Sequence, residues 1–329
     1  MSSAAIVTIH PSQFPNAIHR DLIGSLQRRQ VNHKFHYDSV KQTQQWLALH
    51  QQFSPSRHDA DCESIYDQAF AAITELEGRQ PAHLIGLGCG GGQKDTRLLR
   101  LLKSGSWRIS YTPCDVSVAM TLVARQTALA VIGEADCSPL VYDLTTADDL
   151  SSVLDSISPA NARRLITFFG MIPNFEPEEI LPRLAAGLRP GEPLLFSANL
   201  APGSDYQAGV ERVLPQYDNA LTREWLLTFL LNLGVERTDG EVRFGIETTA
   251  DGFKRIVARF HFSNDRTIAL DSERFEFRAG GSVRLFFSGR YTPTNLEPLL
   301  TRHGFAVRSQ WITHSEEEGV FLCFRHNTT

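Results

Sequence analysis

The sequence predicts an α/β protein built on a mostly parallel β-sheet that helices cover on both faces. Between His83 and Leu200, short apolar runs alternate with amphipathic stretches of helical length, the pattern of strands joined by crossover helices. After Leu200 the alternation stops, and a helical region at 206–233 precedes strand-like alternation within 241–289. The residues after 290 return to the first pattern. We therefore predict an α/β domain interrupted by an inserted α+β domain.

The individual elements follow from the period of the apolar positions. Before the sheet, helices are predicted at 16–29 and 39–52, and another begins at Ala60. Within the sheet, the predicted strands are 83–87, 107–112, 138–142, 164–169 and 192–198, with helices at 93–103, 117–130, 146–156 and 176–187.

In the insert, strand-like alternation covers 255–262 and 267–277. The chain then returns with a helix at 294–303 and strands at 305–312 and 320–325. A turn as short as 314–319 makes its two strands antiparallel, so the sheet ends in one reversed strand.

The densest glycine cluster lies directly after the first predicted strand. Five of seven consecutive positions are glycine: Gly86, Gly88, Gly90, Gly91 and Gly92. A strand that ends in such a loop leaves no β-carbon between its backbone and a ligand, and it points free N–H groups toward the start of the next helix. Doubly wound α/β sheets bind adenosine cofactors in this way. The loop therefore predicts a cofactor site.

Two aspartates bear on which cofactor binds. The spacing Gly86-x-Gly88-x-x-Gly91 fits the dinucleotide fingerprint, which is weak on its own. Asp115 follows the second strand, where an acidic residue binds ribose hydroxyls in both NAD and S-adenosylmethionine. Asp143 ends the third apolar run and is placed to bind the adenine amino group, which suits S-adenosylmethionine better. The reversed last strand favours it too, because NAD-binding sheets stay parallel. The alternative is that each aspartate only caps the next helix.

Composition excludes several classes of protein. A chain of 329 residues predicts one large domain or two interleaved domains. The net charge of −5 offers no electrostatic attraction to nucleic acid or to a membrane surface. No apolar stretch approaches membrane-spanning length, and the N-terminus lacks a signal-peptide pattern. The five cysteines lack C-x-x-C pairing, so we expect reduced thiols and a cytoplasmic protein. The pair His33-x-x-His36 lacks zinc-site spacing, and we expect no metal.

With these elements placed, the chain resembles the histidine Nα-methyltransferases of ergothioneine biosynthesis, whose relatives also methylate tryptophan-type amines. The resemblance covers nearly the whole length and depends on six motifs in the right order, none decisive alone. They are Phe35-His36-Tyr37-Asp38, Gly88-Cys89-Gly90 with Lys94, Cys114-Asp115-Val116, Phe169-Gly170-Met171-Ile172-Pro173-Asn174-Phe175, Gln216-Tyr217-Asp218-Asn219 and Ser288-Gly289-Arg290-Tyr291-Thr292-Pro293. The resemblance implies a Rossmann-like class I methyltransferase sheet. Residues 58–200 and 290–329 would bind S-adenosylmethionine, and residues 1–57 and 201–289 would form a substrate-binding domain that closes over the cofactor cleft.

The resemblance also implies roles for single residues. The cofactor-binding residues would be Gly88, Gly90, Lys94, Asp115, Asp143 and Gly170. Tyr37, Asn174 and Tyr217 would hold the α-amino and α-carboxylate groups and serve as the catalytic residues. Transfer from a sulfonium is an in-line displacement that needs little acid–base help once the amine is neutral and aligned. Alternatively, Tyr37 and Tyr217 are amphipathic core residues, and Asn174 closes a turn after Pro173.

Departures from the family pattern concern selectivity and the cofactor loop. Phe286 stands where the family has a glutamate that binds the imidazole ring, and Phe53 replaces a tyrosine near the same ring. Since a buried N–H without an acceptor costs about 1–3 kcal/mol, a pocket lined by Phe53, Phe286 and Ser288 favours an apolar or aromatic side chain over histidine. The alternative is that both phenylalanines only fill core space. Lys41-Gln42 replaces the usual Gly-Ser, and Gly86 replaces the usual acidic residue.

We therefore predict an S-adenosylmethionine-dependent N-methyltransferase that acts on the α-amine of an amino acid or related small-molecule amine. Two alternatives stay open. One is an NAD-dependent oxidoreductase, although the second domain shows no His or Lys/Tyr acid–base pair for that chemistry. The other is a cofactor-binding protein without catalysis, which Gly86 and Lys41-Gln42 suggest.

Overall fold

The structure, a computed structural model, describes residues 4–75, 81–105 and 108–326. It divides into two compact units. The first comprises residues 1–13, 55–200 and 291–329, and the second comprises residues 14–54 and 201–290. Residues 4–13 and 55–57 therefore group with the first unit and Arg290 with the second, whereas the sequence analysis assigned each of them to the other domain. Trp107, where the second strand was predicted to begin, lies outside the described residues.

The strands and helices are numbered along the chain. The strands are β1 (Thr8–Ile9), β2 (Ala82–Leu87), β3 (Ile109–Asp115), β4 (Leu140–Val141), β5 (Arg163–Phe169), β6 (Pro193–Asn199), β7 (Gly240–Thr248), β8 (Lys254–Phe262), β9 (Arg266–Leu270), β10 (Glu273–Phe277), β11 (Ser282–Arg290), β12 (Phe305–Ile312) and β13 (Glu318–Arg325). The helices are α1 (Pro15–Arg28), α2 (Val40–Phe53), α3 (Pro55–His58), α4 (Ala60–Glu75), α5 (Gln93–Ser104), α6 (Val118–Ala128), α7 (Leu150–Ile157), α8 (Pro177–Gly187), α9 (Tyr206–Tyr217), α10 (Ala220–Asn232) and α11 (Pro293–Arg302).

The described strands of the first unit form an eight-stranded sheet in the order β1-β4-β3-β2-β5-β6-β13-β12. The strands from β1 to β6 pair in parallel, whereas β13 runs antiparallel to both β6 and β12. This arrangement confirms the predicted mostly parallel sheet with one reversed last strand. The chain order reverses between β2 and β5, and ligands of such sheets bind outside the carboxyl ends of the strands at that point.

Strand β2 lies at the centre of this sheet. All its residues are buried, as expected for a parallel strand that helices cover on both faces. Helices α4 and α5 contribute Phe70, Leu98 and Leu102 to the apolar core beside it, and β13 contributes Leu322. His83 is a core histidine whose Nδ1 and Nε2 contact the hydroxyls of Ser110 and Thr112.

The second unit combines helices with antiparallel strands, as expected for the insert. Strands β11, β8 and β7 form one sheet, and β9 pairs with β10 as a hairpin. Their apolar core includes Trp225 and Phe229 of α10 and Phe260 of β8. The helical region predicted at 206–233 is two helices, because Asn219 caps α10 by accepting the backbone N–H of Thr222.

Candidate functional site

The loop between β2 and α5 has a backbone that requires glycine. Gly88, Gly90 and Gly92 have φ values of +66°, +50° and +72°. A β-carbon on Gly88 would lie 2.5 Å from the side chain of Met171, and one on Gly92 would lie 2.8 Å from the backbone of Ala124. The backbone of this loop therefore packs closely against Met171 and against α6 at the carboxyl edge of the sheet.

Asp115 ends β3 beside this loop. Its Oδ2 accepts the backbone N–H of Gly90 at 3.0 Å, and its Oδ1 accepts that of Ser117 at 3.0 Å. Burial raises the pKa of the Asp115 carboxyl to about 6, against the lowering effect of these backbone donors. The structure thus brings Gly90 and Asp115 together, and each carboxylate oxygen retains capacity to accept a ribose hydroxyl.

Asp143 follows β4 at the same edge and is buried. Its Oδ1 accepts the backbone N–H of Thr145 at 2.8 Å and also the Thr145 hydroxyl. Its own backbone N–H donates to Oγ of Ser12 at 3.2 Å. Ser12 is a residue that the sequence analysis missed, because no local pattern connects the N-terminal segment with β4.

The space beside Gly86 is filled from another position. A β-carbon on Gly86 would lie 2.0 Å from Oδ2 of Asp95 and 3.2 Å from Oη of Tyr111. Asp95 is buried on α5 and accepts hydrogen bonds from Tyr111 and Thr167, each at 2.7 Å. Burial raises the pKa of the Asp95 carboxyl, against these two hydrogen bonds. A carboxylate therefore lies at the end of β2 although residue 86 is glycine.

Lys94 is engaged in a buried polar cluster. Its Nζ donates to Oη of Tyr66 and lies 3.3 Å from Oε1 of Glu318, while Tyr66 donates to Oε1 of Glu318. Burial by itself would raise the pKa of Glu318, but the positive charge of Lys94 and the hydrogen bond from Tyr66 outweigh it and lower that pKa. The role of Lys94 in cofactor binding stays a prediction.

Gly170 and Asn174 lie on the loop after β5. Gly170 has φ +68°, and its backbone N–H donates to Oγ of Ser197 at 2.9 Å. A β-carbon there would meet nothing within 4 Å, so the backbone conformation alone favours glycine. Nδ2 of Asn174 lies 3.4 Å from the carbonyl oxygen of Gly170. The loop therefore places both predicted residues at the carboxyl edge of the sheet.

This edge fits S-adenosylmethionine. The glycine loop lies at the end of β2, and the carboxylates of Asp115 and Asp143 lie at the ends of the next two strands of the sheet. A nucleoside that crosses these strand ends would meet an acceptor for ribose and an acceptor for adenine. The carboxylate of Asp115 takes backbone N–H groups from two sides, so its direction is fixed without the ligand.

The second unit holds Tyr217 and Ser288. Their hydroxyl oxygens lie 2.9 Å apart, and Nη2 of Arg290 donates to Oη of Tyr217 at 2.7 Å. The Arg290 guanidinium also lies over the Tyr217 ring, 5.3 Å from its centroid. Arg290 is buried and belongs to the same strand, β11, as Ser288. The sequence motif contained Arg290 but did not reveal that it contacts Tyr217.

Aromatic rings surround Phe286 in the same unit. Its ring centroid lies 5.7 Å from that of His33, 6.1 Å from that of Tyr217 and 6.1 Å from that of Trp225. Oη of Tyr37 lies 2.8 Å from Nε2 of His33. We call these five residues the aromatic cluster. Burial, with a contribution from His36, lowers the pKa of His33 to about 3, so the His33 ring is uncharged at neutral pH.

Phe53 and Gln42 are two of the positions that depart from the family pattern; Phe53 is exposed and Gln42 is buried. Phe53 is 46% exposed at the end of α2, and the described contacts do not include it in the aromatic cluster. Its pocket role therefore stays a prediction. Gln42 is buried, forms a capping box with Ser39 and donates through Nε2 to the carbonyl oxygen of Phe35 at 2.6 Å. Gln42, one of the residues that departs from the family pattern, thus links the start of α2 to the turn that carries Tyr37.

No three or more His, Cys, Asp or Glu side chains in the described ranges are grouped to hold a metal ion. Of the described helices, none combines the length and hydropathy needed to cross a bilayer.

The chain matches a known protein family over most of its length. Residues 18–325 match the model of a family described as histidine-specific, SAM-dependent methyltransferases. The N-methyltransferase imqF of Aspergillus flavus is 27% identical over 246 residues, which cover 72% of this chain and 65% of that protein. The chain thus spans less than two thirds of that relative's length.

Solved structures show weaker likeness. Magnesium protoporphyrin IX methyltransferase (ChlM) from Synechocystis PCC 6803, crystallised with SAH, is 11% identical over 87% of this chain and 95% of its own, with a TM-score of 0.47. The S-adenosylmethionine-dependent methyltransferase SibL is 14% identical over 96% of this chain and 72% of its own, with a TM-score of 0.48.

Proposed function

Because the chain belongs to the family of histidine-specific, S-adenosylmethionine-dependent methyltransferases, we propose that it methylates the α-amine of an amino acid or related amine with an apolar or aromatic side chain. Family membership supports the predicted enzyme class and cofactor. The nature of the amine and the roles of single residues are our proposals.

The first unit would hold the methyl donor. The carboxylates of Asp115 and Asp143 would accept from the ribose hydroxyls and from the adenine amino group. The glycine loop would cover the nucleoside with backbone N–H groups, which no β-carbon obstructs. S-Adenosylmethionine, when bound, supplies the sulfonium methyl group. Gly170 and Asn174 would lie at the methionine end of the donor, since they follow β5 on the far side of β2 from Asp115.

The tyrosines would orient the amino acid. Tyr217 accepts a hydrogen bond from Arg290, so its single proton is left for Ser288 or for a substrate oxygen. A hydroxyl that is held by a guanidinium and donates its own proton suits a carboxylate. Tyr37 would contact the α-amine, and Asn174 would contact either group. Alignment of two reactants in this way can supply roughly 7–11 kcal/mol of barrier reduction, which is enough for a displacement that needs little proton transfer.

The observation that carries the selectivity is the surroundings of Phe286. Its described ring partners are Trp225, Tyr217 and a neutral His33. An imidazole side chain near these rings would lose its solvent hydrogen bonds without gaining a carboxylate acceptor, at a cost of about 1–3 kcal/mol. An apolar or aromatic side chain loses nothing comparable and gains ring contacts.

A methyl-transfer screen tests this proposal. Purified protein would be incubated with S-adenosylmethionine and, separately, with each proteinogenic amino acid and a panel of arylalkyl amines, and products would be detected by mass spectrometry. We expect mass gains of one or more methyl groups, with aromatic or large apolar amino acids preferred over histidine. Preference for histidine would contradict the proposed selectivity.

The same samples distinguish the two alternatives. Tight binding of S-adenosylhomocysteine in calorimetry without transfer to any amine would support a cofactor-binding protein without catalysis. Thermal stabilisation by NADH but not by S-adenosylhomocysteine would support the oxidoreductase, which family membership disfavours.

A further inference from the structure

The N-terminal segment 8–13 reaches the cofactor edge of the sheet. Strand β1 pairs in parallel with β4, and the backbone of His10 continues the ladder by donating to the carbonyl oxygen of Val141 at 2.9 Å. Because the two strands run in the same direction, the segment ends level with Asp143, two residues beyond Val141. The segment is therefore in place to act on that residue.

Hydrogen-bond directions in this segment follow from the backbone. The backbone N–H of Ser12 donates to Nδ1 of His10 at 3.2 Å, so Nδ1 accepts and carries no proton. The Ser12 hydroxyl lies 2.9 Å from the same nitrogen and must donate to it. Its oxygen then accepts the backbone N–H of Asp143 at 3.2 Å. The bonds thus form a directed chain from Asp143 through Ser12 to His10.

The imidazole itself is fixed on its other side. With Nδ1 unprotonated, Nε2 carries the ring proton and donates to Oδ2 of Asp149 at 2.9 Å. Tyr142 donates to Oδ1 of the same carboxylate at 3.1 Å, and its ring centroid lies 4.7 Å from that of His10. A ring held at both nitrogens and along one face cannot turn without breaking several contacts. It is therefore a rigid support for Ser12.

We infer that His10 and Ser12 are positioning residues for the adenine of the cofactor. Ser12, which His10 supports, accepts the backbone N–H of Asp143, while Thr145 donates its backbone N–H and hydroxyl to the carboxylate. Together these contacts direct the carboxylate toward the exocyclic amino group of adenine. The inference rests on the proposed role of Asp143 in cofactor binding. The alternative is that the segment only anchors the N-terminus to the edge of the sheet.

The affinities of two ligands, one with and one without the adenine amino group, distinguish these possibilities. Dissociation constants would be measured by calorimetry for S-adenosylhomocysteine and for its analogue with unsubstituted purine, which lacks the amino group. We expect Ser12→Ala to weaken S-adenosylhomocysteine binding roughly 3- to 10-fold, the effect of one hydrogen bond, and to leave binding of the purine analogue unchanged. His10→Phe keeps the ring contact with Tyr142 and should show the same selective loss. Comparison of two ligands on one variant cancels effects on folding.

Two further variants make the outcome decisive. Ser104→Ala removes an exposed hydroxyl that donates only within α5 in the described contacts, and it should change neither constant. Asp143→Ala should weaken binding of S-adenosylhomocysteine far more than binding of the analogue. Equal weakening of both would refute the role of Asp143 and with it this inference. Selective loss for Asp143→Ala combined with no selective loss for Ser12→Ala would overturn the inference alone.

Discussion

The carboxylate of Asp95 occupies the position that a side chain on Gly86 would take, with Oδ2 only 2.0 Å from an ideal β-carbon. The two residues are therefore coupled: glycine at position 86 leaves the space that the buried carboxylate of the following helix fills. Tyr111 and Thr167 hold that carboxylate in place.

This coupling predicts the effect of restoring an acid on the strand. Gly86→Asp should destabilise the protein by about 1–3 kcal/mol through overcrowding, and by more through two carboxylates in one buried site. Combining it with Asp95→Ala should recover most of the loss, as measured by urea unfolding. Gly133→Asp is a control, since a β-carbon there comes no closer than 3.4 Å to the described atoms. Additive losses in the double variant would contradict the coupling.

The Lys94 cluster permits a separation of stability from cofactor binding. Lys94→Met leaves the carboxylate of Glu318 buried with less compensation and should cost roughly 3 kcal/mol of unfolding free energy. Adding Glu318→Gln removes that charge and should restore most of the stability. If Lys94 binds the cofactor, affinity for S-adenosylhomocysteine will stay low in the double variant. Recovery of both stability and affinity would show that Lys94 acts only in the fold.

Asn174 is predicted to act on the substrate and not on the cofactor. Asn174→Ala should lower kcat roughly 100-fold, because loss of alignment is costly in a displacement reaction. The dissociation constant of S-adenosylhomocysteine should change less than twofold. Asn161→Ala, at an exposed position of the first unit, serves as the control. Equal losses of turnover and cofactor binding for Asn174→Ala would contradict the assigned role.

Phe286 should determine the choice of side chain. Phe286→Glu supplies an acceptor for an imidazole N–H and should raise kcat/KM for histidine relative to phenylalanine by tenfold or more, on the order of one buried hydrogen bond. The control is Phe287→Glu, whose ring contacts the guanidinium groups of Arg255 and Arg284. Thermal unfolding would verify that both variants fold. An unchanged ratio for Phe286→Glu would remove this residue from the pocket.

The burial of His36 predicts that the folded protein loses stability at acidic pH. Its Nε2 donates to the carbonyl oxygen of Leu285, and burial lowers its pKa from 6.5 to about 4 against that hydrogen bond. The unfolded state therefore binds more protons between these values, so stability is complete above pH 6.5 and falls as the pH drops toward 4. The shift corresponds to roughly 3 kcal/mol.

Urea unfolding of the wild type and His36→Gln at pH 7 and pH 4.5 would check this expectation. Glutamine can still donate to Leu285 but does not titrate, so the variant should lose less stability on acidification. His19→Gln, at a half-buried position whose side chain is 40% exposed, should lose as much as the wild type. Identical losses for His36→Gln and the wild type would contradict a depressed pKa of His36.

Much of the fold was predictable because its elements carry their own periodic pattern. The strand predicted at 83–87 is β2, which begins one residue earlier and ends where predicted, since a strand buried on both faces is largely an apolar run. Helix α5 has the glycine loop as its start signal. By contrast, β1 is two exposed residues, and its pairing with Leu140 and Val141 depends on the tertiary structure. No local pattern could have indicated it.

The candidate site likewise combines features that the sequence could predict with contacts that it could not. The positions of Gly88 and Asp115 beside each other were predictable, because a glycine-rich run and an acidic residue stand at the ends of two predicted strands that neighbour in the sheet. The contact between Gly86 and Asp95 was not, because it depends on how α5 packs against β2. The same holds for Arg290 and Tyr217, which are distant in the sequence. Such contacts depend on how the helices and strands pack, and no pattern in a single sequence indicates them.

The parallel bridge between Leu200 and Tyr291 has a consequence for the origin of the molecule. Tyr291 donates its backbone N–H to the carbonyl oxygen of Asn199 at 3.0 Å, so the segment 201–290 leaves and re-enters the first unit at adjacent points. Segment 201–290 can therefore be exchanged in evolution without changing the path of any strand of the sheet. Substitutions near Phe286 and Ser288 would then alter the proposed amine selectivity while the residues of the sheet that bind the donor stay unchanged.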